Sequence, residues 1–383
     1  MRRLQPDPVA AAGAARELTV TSVADIPAFD LALASELYTL LLKPIEATWR
    51  PARNLVVATN GALGLLPLGV LPTAPVTMPA DAGAAFAAYR GVPWLARTHA
   101  VSLMPSAAAF RTLRQLPSGA SDRQPLIGFG DPVFNAEQAA DALKNVPPAS
   151  AASGSTPLER RSAPQTSGLA SATLGSLPAL PDTADELRSV AAALKTDGNK
   201  VLNLGKAASE ENVTHADLSK YRVVAFATHG LVAGELDGLH QPALALSAPS
   251  VTGGAGDGLL TLEKILALKL DADWVVLSAC NTGAGDGAGA EAASGLGRAF
   301  FYAGTRAILV TNWSVHSQSA RDLVTDLFRR QAADPKLARA EALREAMTGL
   351  MDGPGFTDGK GKTVFTYAHP LFWAPYSLIG DGG

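Results

Sequence analysis

The chain has 383 residues, 47% hydrophobic and 17% charged, with a formal net charge of −3 and an isoelectric point near 6.1. That supplies enough apolar side chain for a sizeable core in one large domain or two, but no basic patch or stripe of the kind a nucleic-acid partner needs. One cysteine, Cys280, excludes an intrachain disulfide and a zinc thiolate site, and fits a reducing compartment.

No apolar run approaches the ~18 residues of a membrane span. The N-terminus, Met1-Arg-Arg-Leu, starts like a signal peptide, but no apolar stretch follows and Asp7 and Glu17 intervene. The chain therefore reads as cytoplasmic, with a secreted protein as the alternative.

Residues 31–48 place Leu33, Leu37, Tyr38 and Leu41 on one helical face. Asn54–Thr59 reads as a short buried strand. Asn60-Gly61 and the apolar pattern from Leu63 to Leu71 suggest a hairpin. Val101–Met104 and Leu126–Phe129 are further strands, with a helix over 106–115 between them. Residues 135–176 turn Ala/Ser/Pro/Gly-rich, and no aromatic occurs from 135 to 220. Such a stretch cannot bury enough apolar surface to offset its ordering entropy, so 145–176 is expected to be a mobile linker. Arg160-Arg161 inside it is a candidate processing site or simply a pair of solvated charges.

Beyond the linker, strands and helices alternate. Thr183-Ala-Asp-Glu186 has the capping-box pattern for a helix carrying Leu187, Val190 and Leu194. A strand near 200–204, a helix near 208–219 and the apolar run Val223-Val-Ala-Phe-Ala-Thr-His229-Gly230 follow. After a long connection comes Trp274-Val-Val-Leu-Ser-Ala-Cys280-Asn-Thr-Gly283, then a helix over 291–303 and a strand Ala307–Val310. Two more helices, marked by Leu323 to Phe328 and Leu343 to Leu350, precede a last strand near 374–380. This alternation implies an α/β fold, a mainly parallel sheet with helices on both faces. No 20–50-residue internal repeat is present, so solenoid repeats are absent from this sequence.

Two strands of this pattern end on reactive side chains, His229 and Cys280, separated by 51 positions. Sites in open parallel sheets form at the carboxyl ends of strands, and a lone Cys with a distant His is the pattern of a cysteine nucleophile and its base. Gly230 leaves a backbone N–H accessible, and the N–H of Cys280 supplies a second oxyanion donor. Taken singly, a buried Cys or strand His is more often plain core; their matching placement favours catalysis. Other chemistries fail on spacing. Asp286 stands where a cysteine phosphatase needs Arg, the glycine run 283–289 lacks Gly-Lys-Ser/Thr, and no GxSxG occurs. The six histidines show no metal-ligand spacing, and no metal or other cofactor is expected.

Ala227-Thr-His229-Gly230, Leu277-Ser-Ala-Cys280-Asn-Thr-Gly283 and the ending His369-Pro-Leu-Phe-Trp373 through Gly380-Asp381 resemble the CHAT-domain family. That family is bacterial and caspase-like, is often fused to tetratricopeptide repeats, and has separase and the caspases as more distant relatives. Asn60-Gly-Ala-Leu63, Gly295-Leu-Gly-Arg298 and Ala340-Glu-Ala-Leu-Arg344 add to the match, which runs from about residue 28 onward.

The resemblance implies a caspase-like α/β fold with the Cys-His dyad on His229 and Cys280, the oxyanion-hole glycine on Gly230, and Trp313 in the substrate groove. Ser314 and His316 depart from the Pro and acidic residue usual there. The expected organisation is an N-terminal extension (1–27), the first half of the domain (28–144), the linker (145–176) and the catalytic half (177–383). The expected activity is a cysteine endopeptidase acting on a protein substrate. Regulation would come from a partner or a fused repeat domain, in bacterial stress response, defence or cell death. The rival reading is a catalytically silent interaction module; another acyl transfer on the same dyad is a third. Asp257, Asp273, Asp286 and Glu291 read as caps or loop charges, so no third catalytic residue is assigned.

Overall fold

The computed structural model describes residues 22–59, 61–78, 84–117, 119–144, 158, 173–279 and 295–383. In chain order, α1 (Leu31–Leu41) and α2 (Glu46–Trp49) lead into β1 (Asn54–Val57), and α3 (Leu95–Thr98) into β2 (Ala100–Leu103). Next come α4 (Ala107–Gln115), β3 (Gln124–Gly130) and α5 (Ala136–Lys144). The middle holds α6 (Asp182–Ala193), α7 (Gly198–Val201), β4 (Leu202–Leu204), α8 (Glu210–His215), β5 (Tyr221–Ala227), β6 (Gly230–Leu231), β7 (Ala243–Ala245), α9 (Pro249–Thr252), β8 (Leu259–Thr261), α10 (Leu262–Leu266) and β9 (Trp274–Leu277). Then follow α11 (Gly295–Ala303), β10 (Ala307–Thr311), α12 (Ser317–Ala333), α13 (Arg339–Asp352), β11 (Phe356–Thr357), β12 (Thr363–Phe365), α14 (Pro370–Trp373) and β13 (Tyr376–Gly380).

Eight strands form one sheet in the order β1-β2-β13-β10-β9-β5-β3-β4. β1, β2 and β13 run one way and the other five run the opposite way, the two blocks meeting at the antiparallel β10–β13 pair. The continuous apolar strands are explained by burial on both faces. Along β5, Val223, Ala225 and Ala227 pack into one core with α6, α12 and α13, while Val224 and Phe226 pack into a second with α8, α10 and α11. Trp274, Val275, Val276 and Leu277 of β9 alternate in the same way. Each large apolar side chain so buried contributes about 1.5–3 kcal/mol. The α/β architecture with helices on both faces is thus as expected, and both sequence halves contribute strands to a single sheet.

Several local expectations are corrected. No hairpin follows β1, because β1 pairs in parallel with β2 and Gly61–Leu65 and Leu68–Val70 are 3-10 turns. The apolar residues there, Leu66, Leu68, Val70 and Leu71, are buried as turn residues rather than as a strand face. The helix expected at Thr183 starts at Asp182 without a capping box; Thr183 Oγ1 donates to Leu180 O and accepts from the Asp131 N–H. The long connection before β9 holds a three-stranded antiparallel sheet, β6-β7-β8, and β11–β12 form a small hairpin. The linker expectation, with Arg160-Arg161, falls mostly outside the described residues. Its last residues, Leu174–Ser176, make a 3-10 turn, and Leu158 is buried in the first core. Among the described residues, no helix is long and apolar enough to cross a membrane.

Candidate active site

β4 lies on one side of β3 and β5 on the other. Such a reversal opens a crevice beyond the carboxyl ends of the two central strands. Strand registers define that edge. Continuing each pairing aligns Gly130, Ala227, Ser278, Thr311, Tyr376, Ala100 and Asn54 in one row across the sheet. Asp131, His229 and Trp313 lie one or two residues beyond that row, and Arg53 and His99 lie just before the starts of β1 and β2. All five therefore occupy the same sheet edge. β5 stops at Ala227 and β9 at Leu277, so His229 sits in the turn after its strand rather than on its last residue. Cys280, Asp286 and Glu291 lie outside the described residues, which end at Ala279 on this side.

His229 is fully buried and held from several sides. Its carbonyl accepts from Ala245 N at 2.9 Å, and the neighbouring Thr228 hydroxyl donates to Ala245 O. The ring packs 5.7 Å from Phe134. Its Nε2 lies 2.8 Å from Pro178 O. A carbonyl only accepts, so Nε2 carries the proton and Nδ1 is the lone-pair nitrogen of the neutral ring. This assigns Nδ1 the chemistry of a base.

The strap bearing Pro178 is itself tied down. Asn135 caps α5, its Oδ1 accepting from Gln138 N at 2.9 Å. Asn135 Nδ2 donates to Gly175 O at 2.9 Å. Gln138 bridges the two neighbours of the imidazole: its Oε1 accepts from Phe134 N at 2.9 Å and its Nε2 donates to Leu177 O at 2.8 Å.

Gly230 faces Leu244 across the β6–β7 pair. The Ala245 N to His229 O bond makes this a non-hydrogen-bonded pair, so the ladder leaves the Gly230 N–H unused. On the neighbouring strand, Ser278 N donates to Phe226 O at 2.9 Å, and the Thr311 hydroxyl donates to Ala279 O. The backbone immediately before Cys280 is thereby fixed to both flanking strands.

Asp131, at the end of β3, adopts a left-handed backbone with φ 52°. Burial pushes its carboxyl up to about 6; Asp182 and Asp185 add to the effect and Arg188 opposes it. Trp313 is half-buried against the first core, and its Nε1 donates to Leu371 O at 3.2 Å. His316 is buried beyond it and caps α12, its Nδ1 accepting from Ser319 N. Asp257 accepts from Leu259 N and Lys264, and Asp273 belongs to an ion network at the opposite sheet edge, so neither orients His229. Among the described residues, no group of three or more His, Cys, Asp or Glu side chains could hold a metal ion.

Comparison with known proteins places the chain. No curated protein matches it. Among solved structures, it is similar to separase in the Saccharomyces cerevisiae separase–securin complex, at 11% identity and a TM-score of 0.40, over 76% of this chain and 14% of that one. It is also similar to the Arg-specific cysteine proteinase gingipain R, at 9% identity and a TM-score of 0.42, over 92% of this chain and 66% of that one. The chain thus spans less than two thirds of the length of each. The CHAT domain model matches residues 31–381, nearly the whole sequence, and the chain belongs to the CHAT-domain family.

Proposed function

We propose that this chain is a cysteine endopeptidase of caspase-like type, with His229 as base and Cys280 as nucleophile. The observation that carries the reading is the His229 Nε2 to Pro178 O bond, which leaves Nδ1 as the basic nitrogen beside the strand that leads into Cys280. Nδ1 removes the thiol proton, and the thiolate attacks the scissile carbonyl carbon. The oxyanion is stabilised by the N–H groups of Gly230 and Cys280, each such donor contributing about 2.7–4 kcal/mol. The imidazolium returns its proton to the leaving amine as the C–N bond breaks. A water then gives a proton to His229 and attacks the acyl-enzyme, releasing a carboxylic acid and the free thiol. Trp313 stands at the end of β10, on the side of the groove away from β5. A partner or fused repeat domain switches the enzyme on, in bacterial stress response, defence or cell death.

The test compares wild type with Cys280→Ala on a mixed peptide library read by mass spectrometry. Cleavage by wild type alone is expected. Equal cleavage by both would reject the nucleophile. If neither cleaves, iodoacetamide decides: a thiol alkylated faster than a free cysteine at pH 6–7 marks a latent enzyme, and an inert thiol marks an interaction module.

A further inference from the structure

Away from the His229 crevice, but on the same sheet edge, a cavity of about 340 Å³ opens between α1, α2 and the starts of β1 and β2. The walls include Tyr38, Glu46, Arg50, Arg53, Thr73 and Thr98. Its charge is not balanced internally. Lys43 Nζ sits 2.6 Å from Glu46, and Arg50 bonds the same carboxylate. Two cations already serve that one anion, and the exposed Arg53 guanidinium has no carboxylate partner among the described residues. The buried Tyr38 hydroxyl also lies near Glu46. With Glu46 shared by two cations, Arg53 leaves this wall with a net positive charge, which favours an anionic group.

The geometry points to this cavity as a remote subsite for the peptide substrate, taking an acidic side chain at Arg53. The inference rests on the endopeptidase reading and extends it to a specificity rule. From β9 the sheet steps through β10 and β13 to β2 and β1. At ~4.8 Å per strand the cavity lies roughly 14–19 Å from the Cys280 strand. An extended peptide advances ~3.3 Å per residue. The side chain that reaches Arg53 is therefore about four to six residues from the scissile bond, on the side that passes Trp313.

The experiment profiles wild type and Arg53→Glu on the same diverse peptide library. The wild type is expected to enrich Asp or Glu at one position four to six residues from the cut. Arg53→Glu should lose that preference, with kcat/KM on the best acidic peptide falling about tenfold, while peptides neutral at that position are cut at the wild-type rate. Cleavage with no acidic enrichment, or enrichment unchanged by Arg53→Glu, overturns the subsite. Should the wild type cut nothing, fluorescence anisotropy of acid-scanning decapeptides on Cys280→Ala, with and without Arg53→Glu, separates the two readings. Weaker binding of Glu-bearing peptides to the double variant keeps the cavity as an acidic-peptide site while the peptidase reading fails. Equal binding removes the subsite.

Discussion

At the starts of β3, β5, β9 and β10, Arg123, Arg222 and Arg306 converge on Asp271 and Asp273, joined by Arg339 from α13 and by Asp381 after β13. At the opposite edge, Nε2 of His229 meets a backbone carbonyl, Asp131 carries an upshifted carboxyl, and Arg53 has no described carboxylate. One edge thus spends its charges on each other. Asp273 alone lies 2.9 Å from Arg222, 3.2 Å from Arg123, 3.8 Å from Arg339 and 3.9 Å from Arg306. The comparison teaches where this fold keeps reactive groups available: on the edge where neutralising partners are scarce and orientation comes from the main chain.

The largest expected effect tests the saturated edge. Asp273→Ala takes away the carboxylate that four guanidinium groups share, leaving Asp271 to Arg123 and Arg306, Asp381 to Arg339, and none to Arg222, with Arg123 only 7% exposed. Burial together with Arg306 and Arg222 already lowers the pKa of Arg339, despite Asp273 and Asp381. Removing the shared anion should cost about 3 kcal/mol of stability, the low end of the loss when one partner of a buried ion pair goes, because Asp271 and Asp381 still neutralise the buried arginines. Denaturant unfolding measures it. Residual peptide cleavage per folded molecule should stay at the wild-type level, since this edge lies at the far end of the strands. A variant of wild-type stability would mean the network is decorative, and the contrast between edges would collapse.

The strands that lead to His229 and Cys280 were legible in the sequence and the ion network at their other end was not, for physical reasons. Strands β5, β9 and β10 announce themselves because burial on both faces demands continuous apolar runs, and two of those runs point to His229 and Cys280. The β6-β7-β8 sheet escapes because its strands are two or three residues long and lie in a Gly-rich stretch. Leu63 to Leu71 mislead because apolar residues in buried 3-10 turns mimic strand alternation. The group that orients His229 is invisible for a different reason. It is the carbonyl of Pro178, and a main-chain oxygen has no side-chain signature. The Asn135-x-x-Gln138 spacing at the start of α5 is the nearest readable trace, a helix cap whose polar atoms have a second use.

A smaller effect sharpens the comparison through pH. His369 caps α14, its Nδ1 accepting from Leu371 N at 3.1 Å, and α14 supplies the carbonyl that receives Trp313 Nε1. Burial drives its pKa from 6.5 down to about 4, with the Pro27 carbonyl only partly offsetting this. The unfolded chain takes up the proton near 6.5 and the folded chain only near 4. Stability is therefore complete above pH ~6.5 and falls as pH drops toward ~4, by up to about 3 kcal/mol. His369→Asn keeps a capping acceptor without the titration, and its stability should vary less between pH 6.5 and 4. If it tracks wild type across that window, another group carries the acid sensitivity.

The finest expected effect concerns the strap behind His229. Gln138 holds Phe134 N and Leu177 O at once, and both neighbours bear on the imidazole. Gln138→Leu releases both bonds. A ring free to swing off Pro178 O loses the tautomer that makes Nδ1 basic, so kcat should fall about tenfold, near 1.4 kcal/mol of barrier, with KM little changed. Gln138→Glu separates the two bonds, because its carboxylate still accepts from Phe134 N but cannot donate to Leu177 O. If the strap matters through His229, the Glu variant should shift the acid limb of the pH–rate profile and lose most of what the Leu variant loses. If Gln138 only pins a loop, both variants should lower thermal stability and leave the pH profile of the remaining activity where it was. That result would place the orientation of His229 in Thr228 and the Ala245 backbone instead, on the β7 side of the ring.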